Sequence, residues 1–286
     1  MKPKIGVIGG SGLYAMEGLD QVKEVSIDTP FGPPADKLVT GEVQGVPVVF
    51  LPRHGRGHRF TPTEVPYRAN ICALKMLGVT HVISVSACGS LQEEFKPGDI
   101  VVIDQLFDRT RHRVDTFFGE GIVAHVGFGD PICLSLAKQM YDAGVKLGIK
   151  MHWKGTYVCM EGPQFSTRAE SETYRARGFH VIGMTNYTEA RLAREAELCY
   201  ASLALVTDYD CWKGREESVD ATSVVEVMQS NVIKAKKIVA AVIPQIKAEP
   251  DCECHNALAV AIVTDRNVIP EATKKKLQPI IGRYIK

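Results

Sequence analysis

The chain has 286 residues, 45% hydrophobic and 23% charged, with a formal net charge of +1. That length buries a large core, most simply as one domain over 1–286, and the near-neutral balance leaves no basic surplus for nucleic acid or an anionic membrane. The N-terminal run MKPKIGVIGG is too soon broken by glycine for a signal peptide, and no stretch approaches the ~20 apolar residues of a membrane helix, so a cytoplasmic protein is expected.

In chain order, KIGVIGG (4–10) reads as a strand that runs into Gly9-Gly10-Ser11-Gly12. Backbone N–H groups and a hydroxyl at such a turn suit a phosphate, but the pattern is neither G-x-G-x-x-G nor a P-loop, and alone it fits a plain turn equally well. VPVVFLP (46–52) is a second strand, delivering Arg53 and His54 first, with Arg56, His58 and Arg59 serving the loop behind. An arginine fork matches phosphate oxygens, and a neighbouring histidine can add a hydrogen bond or positive charge. YRANICALKML (67–77) has Ile71, Leu74 and Leu77 at helical spacing, and the strand HVISVSA (81–87) ends in Ser86-Ala87-Cys88-Gly89. DIVVIDQLF (99–107) reads as one strand and residues 130–148 as an amphipathic helix. TYVCM (156–160) and FHVIGMT (179–185) are strands, the second delivering Met184-Thr185-Asn186 to a helix that includes EARLAREAEL (189–198). The run CYASLALVT (199–207) ends in Thr207-Asp208-Tyr209-Asp210, and Ser223 with Glu226 suggests a capping box opening a long helix to about Ile246.

Near-continuous Val/Ile/Leu strands alternating with helices give an α/β fold: a single domain with a mixed, largely parallel, twisted central sheet flanked by helices. In such sheets ligands bind at the carboxyl ends of strands, so the five polar strand ends are expected to face one pocket. A glycine turn, the Arg53-His54 pair, and hydroxyls at Ser86 and Thr185, the latter opening a helix whose N–H groups favour anions, together make phosphate the economical ligand. The two acids could then hold a metal or face a nitrogenous base; no third ligand stands at metal spacing. Close carboxylates disfavour joint ionisation, so one keeps a proton at neutral pH, as a purine leaving group requires.

The motifs GVIGGSGLY, DTPFG, RHGRGHRFTPTEVPYRANICALK, ACGSLQEEFKPGDIVVIDQLFDRT, EGPQFSTRAES and TDYDCW stand in this order from about residue 4 onward. They resemble the S-methyl-5'-thioadenosine phosphorylases, a branch of the purine nucleoside phosphorylase superfamily. The resemblance implies a homotrimer that uses no cofactor or metal, with inorganic phosphate as co-substrate, yielding adenine and 5-methylthioribose 1-phosphate in purine and methionine salvage. It assigns phosphate to Ser11, Arg53, His54, Ser86, Ala87 and Thr185, the ribose platform to Met184, and the purine pocket to Phe165, Ser166, Asp208 and Asp210. Asp208 would meet purine N7 and Asp210 the 6-amino group, with Tyr209 turned away. Ala221, Val224 and Val225 would line the alkylthio pocket, and His125 would reach the neighbouring subunit's site. Ser11, Ser86, Asn186, Thr188 and Ala221 depart from residues common in the family. A 6-oxopurine nucleoside or methylthioinosine phosphorylase is the nearest alternative, disfavoured because purine O6 accepts hydrogen bonds and two carboxylates do so too; a non-catalytic sensor is the alternative of another class.

Eight cysteines lie scattered, several inside apolar runs, as in a reduced protein. Cys252 and Cys254 (CEC) read as surface thiols, or as a redox-active or tail-tethering disulfide; metal binding finds no further ligands at zinc-like spacing. Residues from about 250 to 286 are expected as a C-terminal extension packed on the domain, where it could line a subunit boundary.

Overall fold

The computed structural model describes residues 3–10, 12, 13, 16, 18–213, 221–247 and 252–285. Eleven strands among them form one sheet. At its centre lies β5 (His81–Ser90), flanked in parallel by β1 (Ile5–Gly9) and β11 (Cys199–Asp208). β1 continues in parallel to β4 (Val46–Pro52), and antiparallel β3 (Leu38–Val43) and β2 (Leu19–Val25) complete that edge.

On the other side the sheet branches. β11 pairs with β6 (Ile100–Val102), which pairs with β8 (Met151–Trp153), while the last residues of β5 pair antiparallel with β10 (Val181–Gly183), followed by β9 (Thr156–Met160) and β7 (Gln105–Arg109). Six ladders are parallel and four antiparallel, so the sheet is mixed and largely parallel, as expected.

The helices fall into two groups. α1 (Tyr67–Met76), α4 (Asn186–Glu195) and α6 (Glu271–Ile281) pack together, and α2 (Leu134–Lys146) packs on α5 (Ala221–Val242). Helices of both groups also pack on β11, which explains why its run Cys199–Val206 is buried throughout. α3 (Arg168–Ala176) opens with a capping box between Thr167 and Glu170. α5 begins at Ala221, so Ser223 lies inside it rather than at its cap.

The run 99–107 is two strands, not one. Between them Asp104 exchanges hydrogen bonds with Gly155, its N–H donating to the Gly155 carbonyl (3.2 Å) and its carboxylate accepting from the Gly155 N–H (2.9 Å), and the chain changes neighbours from β11 to β9. The C-terminal segment adds Leu258, Ile269, Leu277 and Ile280 to the same core as β1 and β5. It is tied down at Glu197, whose buried carboxylate accepts from the Leu258 N–H (2.9 Å), Arg283 Nη2 (2.8 Å) and the Tyr284 hydroxyl (2.6 Å). No helix of the described residues is long and apolar enough to cross a membrane.

Candidate active site

The acid pair stands where β11 breaks register. Val206 pairs with Cys88 and Asp208 with Gly89, so Thr207 is the extra residue of a bulge, a device that re-aims the side chain after it. Asp208 Oδ1 accepts the Asp210 N–H and Oδ2 the Thr207 hydroxyl, both at 2.7 Å. Asp210 adopts a left-handed backbone (φ 51°), which aspartate tolerates better than most residues. A Cβ at Gly89 would stand 2.9 Å from Asp208 Oδ1 and 3.3 Å from the Asp210 Cβ, so glycine is what lets the pair close over β5. From behind, Asn231 of α5, fully buried, donates to the Val206 carbonyl (2.8 Å).

Burial raises the pKa of both carboxyls. For Asp208 the Thr207 hydroxyl and Asp210 N–H restrain the rise; for Asp210 the Ser171 hydroxyl restrains it and the Asp208 charge adds to it. Desolvation, more than mutual repulsion, is therefore what favours the protonated form here. Asp210 Oδ2 and the nearby Ser171 Oγ are both buried, close enough for the hydroxyl to lower the carboxyl pKa yet without a well-formed hydrogen bond among the described residues. No cluster of metal-ligand spacing among the described residues includes either aspartate. Tyr209 is turned to the Glu93 carbonyl (3.4 Å) and the Trp212 ring, as the sequence suggested.

The anion side is built on a buried ion pair. The Arg53 N–H donates to the Gly9 carbonyl (2.9 Å), locking the exit of β4 onto that of β1. The guanidinium donates from Nε and Nη2 to Glu189, from Nη1 to the Val85 carbonyl (3.0 Å) and from Nη2 to Ser84 Oγ (2.7 Å). Glu189 also accepts from the Ser84 (2.8 Å) and Tyr200 (2.9 Å) hydroxyls. Burial works against the Arg53 charge, but the Glu189 carboxylate more than offsets it and raises the pKa. Among the described residues four of the five donors are thus committed, and one N–H on Nη1 is left for a ligand.

His54 does not supply positive charge. Burial and the Arg53 guanidinium push its pKa down to about 4, and its Nδ1 faces the Phe60 carbonyl at 2.9 Å. A carbonyl only accepts, so the proton sits on Nδ1 and Nε2 is an acceptor. His58 stacks on it at 4.2 Å, Arg59 donates to the Ala35 carbonyl (2.6 Å) and Arg56 pairs with Glu24, so these three serve the loop.

The fourth strand end arrives from the opposite direction. β10 is antiparallel to β5, with Val181 opposite Ser90 and Ile182 opposite Gly89, so its exit runs back along β5 toward Ala87 and Ser86. Thr185 is the N-cap of α4, buried, with no side-chain capping bond, so its hydroxyl does not occupy the N–H groups of the first turn. Below it the buried Tyr157 hydroxyl lies near Ser86 and the Thr185 backbone without a well-formed hydrogen bond. A Cβ on Gly183 would fall 2.0 Å from that oxygen. Asn186 and Thr188, the two departures, are both fully buried: Asn186 donates to Ser202 of β11, and Thr188 accepts from Arg113 (3.3 Å).

The outer wall is open. Phe165 is 75% exposed, Ser166 and Met184 are half-buried, and His125 is exposed, with its N–H donating to the Ala261 carbonyl (2.9 Å). Ser11 lies outside the described residues, as do the side chains of Ala221, Val224 and Val225. A depression of about 400 Å³ lined by Ser135, Lys138, Gln139, Gln245 and Lys247 contains no strand-end residue; converging polar groups mark the site, not concavity.

Sequence reasoning missed Glu189, Ser84, Tyr200, Ser171 and Tyr157, which lie inside apolar or helical patterns and carry no local signal. It also misplaced the CEC pair: Cys254 is buried and Cys252 half-buried.

The phosphorylase superfamily profile matches residues 4–244. An S-methyl-5'-thioadenosine phosphorylase of Geobacter sulfurreducens is 54% identical over 286 residues, covering 100% of both chains. The crystal structure of a methylthioadenosine phosphorylase from an antarctic soil metagenomic library is 49% identical, with a TM-score of 0.94 over 98% of this chain and 99% of that one. A Schistosoma mansoni methylthioadenosine phosphorylase in complex with adenine is 40% identical, with a TM-score of 0.84 over 91% of this chain and 99% of that one. With its strand-end acids, buried ion pair and sheet topology, the chain belongs to the phosphorylase superfamily, in the branch of the S-methyl-5'-thioadenosine phosphorylases.

Proposed function

We propose that the protein cleaves S-methyl-5'-thioadenosine with inorganic phosphate, giving adenine and 5-methylthioribose 1-phosphate. The observation that carries the reading is Asp210 Oδ2, a buried acceptor that the neighbouring Ser171 and Ser166 hydroxyls leave without a well-formed hydrogen bond among the described residues. Leaving such an atom unpaired costs about 1–3 kcal/mol or more, which a ligand donor offsets. The 6-amino group of a purine is such a donor, and a purine O6 is not.

In this mechanism phosphate sits below C1', held by Ser11, Ser86, the Ala87 backbone, Thr185 with the first turn of α4, and the one uncommitted Arg53 N–H. His54 Nε2 accepts the hydroxyl of the phosphate itself. As C1'–N9 breaks, a phosphate oxygen bonds C1', and the developing cation is stabilised by the anion beside it. Asp208, whose pKa burial raises, gives a proton to N7 so that adenine leaves neutral; Thr207 Oγ1, 3.2 Å from the Cys88 carbonyl, can then donate again to the carboxylate. Phe165, Ser166 and Met184 would carry base and sugar, and Ala221, Val224, Val225 and His125 of the partner subunit the alkylthio end. The reading includes a cytoplasmic homotrimer without cofactor or catalytic metal, one domain over 1–286 with residues from about 250 packed on it.

Methylthioadenosine, adenosine, methylthioinosine and inosine, each with and without phosphate, test this. Adenine release from methylthioadenosine that requires phosphate is expected. Binding without release, or fastest cleavage of a 6-oxo substrate, contradicts it.

A further inference from the structure

Four cysteines from three distant parts of the chain meet at the end of β11 remote from the acids. Cys133 is the N-cap of α2, Cys199 opens β11, and Cys252 and Cys254 begin the C-terminal segment. Their Sγ atoms all lie within 4.8 Å of one another, with Cys133 to Cys252 at 4.0 Å and Cys199 to Cys252 at 3.5 Å. Zn–S bonds of ~2.3 Å at tetrahedral angles separate sulfurs by about 3.8 Å, between those two distances. Three of the four residues are buried and Cys252 half-buried, so the pocket is shielded with one side open for entry.

The geometry points to a structural zinc site in which Cys133, Cys199, Cys252 and Cys254 hold one Zn²⁺ ion and fasten the C-terminal segment to β11 and α2. A four-thiolate donor set suits zinc by both softness and coordination number. On binding, four S–H bonds lose their protons and four Zn–S bonds form, leaving a doubly negative centre. Groups to balance it stand alongside. His255 faces the Glu197 carbonyl through Nδ1 (3.2 Å) and Cys199 Sγ through Nε2 (3.5 Å). Arg194 lies close enough to Cys254 to interact with it electrostatically, and the Leu136 N–H at the start of α2 donates to Cys133. The spacing rule that disfavoured metal at CEC fails because the other two ligands are supplied by the fold, 119 and 53 residues from Cys252.

β11 has ten residues, so the cluster lies about 30 Å from Asp208 along the strand and cannot reach the reacting atoms. Its role is to hold residues 252–285. Through the bridge between Ala124 and Ile262 and the His125 N–H bonded to Ala261, that segment carries the loop bearing His125.

The test uses the full chain, purified under reducing conditions without chelator. Elemental analysis should find close to one zinc per chain, and replacement by Co²⁺ should give thiolate-to-metal charge transfer with tetrahedral d–d bands. Cys252→Ser, at the most exposed of the four, should lower zinc content at least about tenfold. Metal-free protein with all four thiols open to alkylation, or intact mass showing disulfides among them, overturns the proposal. Both readings come from the wild-type protein and hold even if the variant fails to fold.

Discussion

Asp208 and Asp210 sit two residues apart yet have different surroundings. Asp208 has both oxygens occupied by local donors, while Asp210 Oδ2 is buried without a well-formed hydrogen bond among the described residues, and that asymmetry supports different roles for the two. Asp208→Ala should lower kcat by about 10²–10⁴, the usual worth of general acid assistance, with KM for phosphate little changed; steady-state kinetics with near-normal turnover would remove Asp208 as the acid. Because burial raises its pKa, the active protonated form persists above the ordinary carboxylate value of ~3.9 and is lost as pH rises through the folded pKa. Glu195 gives a separate pH signature. Burial pushes its pKa up to about 7, against the Phe117 N–H and Thr116 hydroxyl that bond its charged form. Its contribution to stability is whole below ~4.5 and is lost between there and about 7, by up to roughly 3 kcal/mol. Denaturant titrations of the wild type and Glu195→Gln should diverge across that window; parallel curves would show that Glu195 is not protonated in the fold. The acid pair was legible because it follows an unbroken apolar run. Glu189 was not, since its partner Arg53 lies 136 residues away.

Elements buried on both faces were readable as apolar runs: β1, β4, β5, β9 and β11 fall where periodicity and composition put them. β2 was missed because it is an edge strand whose central five residues are exposed, and α6 because a polar sequence carries only Thr273, Leu277, Ile280 and Ile281 inward. That β10 enters antiparallel could not be read, because direction is set by pairing and not by composition. The elements meet at the ion pair between Arg53, at the exit of β4, and Glu189 of α4. Glu189→Gln strands a guanidinium that is 4% exposed, and should lower stability by about 3–5 kcal/mol by denaturant unfolding. A loss below ~1 kcal/mol would show that water or ligand, not Glu189, balances Arg53. Gly183→Ala, whose Cβ would fall 2.0 Å from the Tyr157 oxygen, should disrupt the β10 exit and cost both Tm and turnover.

Across the whole molecule the outer wall stays open: Phe165 is 75% exposed and His125 lies on the surface. Composition offered no basic surplus for nucleic acid or an anionic membrane, but it could not show that the outer wall is open, because surface shape is not written in periodicity. A homotrimer that closes the wall predicts a light-scattering mass of three times the 31.4 kDa chain. In that assembly His125→Ala should raise KM for the nucleoside while leaving phosphate binding unchanged. A monomer with full activity would show that the site is complete within one chain.

The central claim is that an unpaired buried carboxylate at Asp210 reads a 6-amino purine. It is tested by the ratio of kcat/KM for methylthioadenosine to that for methylthioinosine, measured in the wild type and in Asp210→Asn. The carboxamide offers a donor to O6, so the ratio should be large in the wild type and fall by at least ~10²-fold in the variant, within the range set by one buried, unmatched polar group. An unchanged ratio would contradict the account.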